Sequence, residues 1–166
     1  MSSKRSRRIV EAEKFVLKDD NGKDRAVLCM GDFGPVLSFN DPWGLPRLTL
    51  ELRGEGPMIS LCDPNGAWEA RLEATKEGAV VVVWEDGGKR GAGVSAQADG
   101  PDVWLSDGEC AVRAKFTMAN GHPCLRLSDA QGTCRLELAA LKDGPHVSLF
   151  GADGRPFYSV GPQRRP

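Results

Sequence analysis

A 22-residue period runs through this chain, so its fold must be one that stacks a single small unit seven times. Gly-Pro pairs stand at 34–35, 56–57, 100–101 and 144–145, at spacings of 22, 44 and 44. Cutting at that interval gives units starting at Lys14, Val36, Met58, Val80, Asp102, Cys124 and His146, the last shortened at Pro166. No insertion or deletion is needed. Position 2 of the unit reads Phe15, Leu37, Ile59, Val81, Val103, Leu125, Val147, and position 4 reads Leu17, Phe39, Leu61, Val83, Leu105, Leu127, Leu149. Position 15 reads Leu28, Leu50, Leu72, Val94, Phe116, Leu138, Val160, also apolar throughout.

Apolar residues at positions 2 and 4, and again at 13, 15 and 17, alternate with mostly polar ones. A period of two means strand, so each unit holds two short strands with one apolar face. Between them lies Asp-x-x-Gly, as in Asp41–Gly44 and Asp63–Gly66. Aspartate opens such a turn through its side chain, and glycine takes a left-handed backbone position at its end. Position 9 is glycine in six units, with Cys110 the exception. A three-residue loop with a bulge would set position 4 against position 12, placing leucine opposite Arg25, Arg47, Arg113 or Arg135. A four-residue loop over positions 6–9 pairs 4 with 11 and 2 with 13, and this hairpin is the expectation. A looser turn around Gly-Pro then leads into the next unit.

Five apolar side chains at about 1.5–3 kcal/mol each do not offset roughly 1–2 kcal/mol of backbone entropy for each residue of the unit. Units must therefore stack. The fold class expected is all-β: an antiparallel hairpin meander of about 13 or 14 strands, curled into a barrel or sandwich, or stacked on a partner, to hide its apolar face. The alternative is a two-sided parallel β-solenoid. One repeat domain is expected over 9–161, between a basic disordered tail at 1–8 and a short tail at 162–166.

Phe150–Arg155 (Phe-Gly-Ala-Asp-Gly-Arg) and Ser128–Gly132 (Ser-Asp-Ala-Gln-Gly) resemble the YD repeats of bacterial Rhs-type proteins, which are strings of hairpins. Trp84–Val94 (Trp-Glu-Asp-Gly-Gly-Lys-Arg-Gly-Ala-Gly-Val) is similar to one MORN repeat, another hairpin array of near-equal period. The resemblance implies hairpins used for assembly or binding, and no functional residues.

A chemical site should break the repeat. At position 1, Asp102, Cys124 and His146 fall in consecutive units, a carboxylate, thiol and imidazole that a stacked solenoid would bring into one ladder. In a meander they lie two strand spacings apart, too far to bond. Three unrelated substitutions on the outward face are the preferred reading. On the face that should be polar, Val80, Val82 and Trp84 are apolar and Trp104 follows in the next unit. With Trp104 expected opposite Arg113 and Trp84 opposite Lys89, the residues Val82, Trp84, Trp104 and Arg113 form a candidate interface. Trp43 and Trp68, near hairpin ends, leave a carbohydrate- or surface-binding module as a second reading.

Other classes find little support. The net charge of −1 gives no field towards nucleic acid or acidic membrane, and the basic residues at both ends have no interleaved aromatics. Gly87-Gly88 and Gly91-Ala92-Gly93 lack the helix and lysine of a phosphate loop, so no cofactor is expected. The repeated aspartates are too sparse for calcium and read as turn formers. Five cysteines without a Cys-x-x-Cys pair, two distant histidines and no leader-like N-terminus suggest reduced thiols, no zinc site and a cytoplasmic setting. No apolar run is long enough to span a bilayer. The expectation is a non-enzymatic scaffold that binds a protein partner or itself, with no nucleic-acid, membrane or small-molecule ligand evident.

Overall fold

The computed structural model describes residues 9–85, 88–98, 100–119 and 121–161, so the two expected tails lie outside the described residues. Each unit supplies two strands. Unit one holds β1 (Lys14–Lys18) and β2 (Asp24–Met30), and unit two β3 (Pro35–Asn40) and β4 (Pro46–Arg53). Then follow β5 (Gly56–Cys62) and β6 (Trp68–Thr75), β7 (Gly78–Glu85) and β8 (Arg90–Gln97), and β9 (Gly100–Ser106) and β10 (Val112–Ala119). The last two units hold β11 (His122–Ser128) with β12 (Cys134–Leu141), and β13 (Gly144–Phe150) with β14 (Pro156–Val160). The strands form one 14-stranded antiparallel sheet in strict chain order. The hairpin meander is thus the architecture, and the parallel solenoid is not. Nor does the sheet close into a barrel: β1 and β14 stay as its two edges.

The hairpin geometry corrects the expected loop. In unit one Phe15 faces Leu28, Leu17 faces Ala26 and Lys18 faces Asp24, so position 4 pairs with 13 and position 2 with 15. Arg25, at position 12, is left over as a bulge. Asp19 N–H donates to the Lys23 carbonyl and Gly22 N–H to the Asp19 carbonyl, which leaves positions 7–9 as a three-residue loop. The objection to that loop was an arginine set against leucine. The bulge removes it, because the arginine has no residue opposite.

Gly22, Gly44, Gly66, Gly132 and Gly154 all have φ between 72° and 89° at the loop's last position, and Cys110 takes φ 61° in their place. Unit four differs: Glu85 pairs with Arg90, Trp84 with Gly91 and Val83 with Ala92, without a bulge. It is the unit with glutamate at position 6 and glycine at position 12. The turns between units are also tighter than expected. Arg53 pairs with Gly56 and Thr75 with Gly78, leaving two residues at each tip. Gly56 and Gly78 have φ of 150° and 141°, and a Cβ on either would strike the carbonyl of Ala74 or Ala96 on the following strand. That close approach is why glycine recurs at this position.

The register sorts the side chains onto two faces. One row runs Phe15, Leu28, Leu37, Leu50, Ile59, Leu72, Val81, Val94, Val103, Phe116, Leu125, Leu138, Val147 and Val160, each opposite the next. A parallel row from Leu17 through Phe39, Leu48 and Leu61 to Leu149 and Tyr158 is equally free of charge. These columns were expected to be a core. They are not buried: Leu72, Val81, Val94 and Phe116 are 48%, 46%, 53% and 50% exposed. The packing between strands is between those adjacent in the chain, so no described strand covers this face. On the other, mixed face several side chains are buried: Met58 (2%), Ser60 (2%), Val82 (3%), Cys124 (3%) and Ser148 (4%). Ser60 sits between Thr49 and Arg71.

Candidate interaction surface

On the mixed face the three tryptophans of the middle units have distinct seats. β8 contributes Gly91 and Gly93, and the indoles of Trp84 and Trp104 lie where Cβ atoms of those glycines would be. The register explains it, since Trp84 faces Gly91, and Gly93 is flanked by Val82 and Trp104. An aromatic ring laid over a strand glycine covers backbone that would otherwise be bare. Arg71 carries its guanidinium 5.5 Å from the Trp84 ring and 5.2 Å from Trp68, and Arg53 approaches Trp68 at 5.7 Å. The result is an alternating stack of arginine and tryptophan held by cation–π attraction. Trp68 and Trp84, with Gly66, Ala67 and Gly88, line an open groove of about 460 Å³.

The four candidate interface residues are therefore placed as follows. Val82 is buried, and Trp84 on β7 and Trp104 on β9 are half-buried against glycines of β8. Trp104 faces Lys115, not Arg113, and Trp84 faces Gly91, not Lys89. The Trp104 shift follows from the bulge at Arg113, and the Trp84 shift from the bulge-free hairpin of unit four, in which Glu85 pairs with Arg90. Arg113 sits at the bulge, donating to the Asp107 carboxylate, the Asp129 carbonyl and, at 2.9 Å, the Ala130 carbonyl. It ties the tip of one hairpin to the tip of the next. Arg25, Arg47 and Arg135 likewise reach the carbonyls of Asn40, Cys62 and Phe150 at 3.0, 2.8 and 3.5 Å.

The aspartates at position 6 are turn formers, as expected. Asp129 accepts from the N–H groups of Gln131 and Thr133 at 3.0 and 2.9 Å and pairs with Arg135 at 2.6 Å. In Asp19, Asp63 and Asp107 the backbone N–H bonds hold the carboxyl below its ordinary range. For Asp129 partial burial opposes the same bonds, and the bonds win.

The carboxylate, thiol and imidazole at position 1 are not brought together. β10 lies between Asp102 and Cys124, and β12 between Cys124 and His146. Asp102 is engaged by Lys115 Nζ at 2.5 Å and by Ser95 Oγ, which outweigh burial and keep its carboxyl low. His146 Nε2 bonds Ser148 Oγ at 2.8 Å, and Ser148 bonds Ser159 at 2.8 Å. Burial, with Glu137 nearby, pushes the Cys124 thiol up, so it stays protonated at neutral pH and is a poor nucleophile. Among the described residues no three His, Cys, Asp or Glu side chains are grouped to hold a metal ion. Also among them, no helix is long and apolar enough to cross a membrane. Trp43 stands 77% exposed at the tip between β3 and β4, whereas Trp68 is flanked by its two arginines.

The apolar columns expected to form a core instead lie on a face with many exposed large side chains. Its residues were legible as columns, but alternation says only that side chains share a face and not that anything lies on it. Neither the protein-family models nor the curated proteins compared with this chain gave a match.

Proposed function

We propose that the chain is a non-enzymatic, cytoplasmic repeat scaffold that works by presenting its uncharged sheet face to a protein. One observation carries this reading: two unbroken apolar rows run across all fourteen strands, and many of their large side chains are exposed. Soluble monomers rarely leave more than a few hundred Å² of contiguous apolar surface open, and larger patches mark contact sites. Among the described residues the short, regular turns leave no long irregular loop in which to assemble a catalytic pocket. The resemblance to hairpin-array proteins points the same way.

The test is the native size of the tagged chain in an extract of cells that express it. The wild type should run well above its 17.9 kDa mass. Leu50→Lys with Leu105→Lys, on the apolar face, should lose that assembly, while Trp43→Lys at an exposed tip should keep it. A wild-type chain that runs as a monomer in extract overturns the reading.

A further inference from the structure

We infer that the occupant of the apolar face is a second copy of this chain, the two sheets packing face to face as a two-layered sandwich. This rests on the scaffold reading and names its partner. The first support is area. Fourteen strands at about 4.8 Å spacing make a face about 60 Å long. Covering even half of it on each of two copies removes on the order of 2,000 Å², which is the range of stable dimers.

The second support is that the face is complementary to itself. A two-fold interface must match its own surface, and a repeated row of Leu, Val, Ile and Phe offers the same ridges and grooves at every 22-residue step. The third is chemistry. The two rows contain no charge and only one polar group, the Tyr158 hydroxyl at the edge strand, so burial strands almost no polar atom. Sheets packing this way sit about 10 Å apart with interdigitated side chains. The mixed faces, with their ion pairs, then point outward on both sides.

A two-fold axis through the middle of the sheet brings Val81 of β7 and Val94 of β8 near their own copies. The experiment uses the purified full chain, with light scattering coupled to gel filtration and sedimentation at several concentrations. The wild type should show twice the chain mass. Val81→Lys and Val81→Glu, at a site 46% exposed in the isolated chain, should each be monomeric, with association weakened about a hundredfold or more by like charges. Mixing the two variants should restore the double mass, a result that misfolded chains cannot produce. A purified wild type that stays monomeric while the assembly in extract persists overturns the second copy but leaves the scaffold reading standing. Binding of that monomer to neutral phosphatidylcholine vesicles would show that the face takes lipid instead, and would also overturn the proposal.

Discussion

Replacing Arg113 with alanine should destabilise the chain by about 1.5–3 kcal/mol, the range for hydrogen bonds from a charged donor. The side chain is 18% exposed and gives three bonds, one to the Asp107 carboxylate and two to the Asp129 and Ala130 carbonyls of the next hairpin tip. The ion pair itself adds little, since Asp107 is 33% exposed and surface pairs are worth about 0–1 kcal/mol. Most of the loss should come from the two carbonyl bonds across the repeat boundary. Arg113→Lys should recover only part, because an ammonium cannot fork between separate acceptors as a guanidinium does. Urea unfolding followed by circular dichroism gives the magnitude. Hydrogen exchange gives the place: protection should fall at 107–111 and 129–133 before it falls elsewhere. A loss below about 0.5 kcal/mol, in the range of an ordinary surface substitution, or one confined to the hairpin holding Arg113, would refute the bridging role.

Cys110→Gly should stabilise by about 0.5–1 kcal/mol, because a side chain at φ 61° costs about 1–2 kcal/mol and glycine's greater freedom when unfolded gives back part of that; a lowered urea midpoint would contradict it. Stability should be at its full value above the ordinary carboxylate range near pH 4 and fall as pH drops through the lower folded-state values of Asp19, Asp63, Asp107 and Asp129. Thermal melts between pH 2 and 7 should show this, and the fall should be shallower in Asp107→Asn with Asp129→Asn; an unchanged profile would remove the capping carboxylates from the explanation. Deleting Met58–Ala79, one whole unit, should leave a twelve-stranded β-protein whose urea m-value is about one seventh lower. Deleting Ser60 alone should do more damage, since it swaps the faces of Leu61 and Cys62 relative to Ile59; equal tolerance of the two deletions would sink the register assignment.

Period, strand positions and face assignment follow from the sequence because they are local: alternation of two and a turn every eleven or so residues need no knowledge of distant contacts. Phe15, Leu37 and Ile59 share a face for that reason alone. The bulge was not legible. Arginine recurs at position 12, but the repeat alone does not say that Arg25 and Arg113 have no residue opposite, nor that their guanidinium groups reach carbonyls on the following hairpin. The seats of Trp84 and Trp104 were not legible either, since they depend on Gly91 and Gly93 leaving room on β8 for two indoles. The same holds for Asp102, Cys124 and His146, which are neighbours in the repeat column but are separated by intervening strands in space. Above all, only the tertiary structure decided that the sheet stays open. Closure depends on the twist and stagger accumulated over fourteen strands, which every residue influences slightly and no single column records. The apolar rows specify a face, and the geometry of the whole sheet leaves it uncovered.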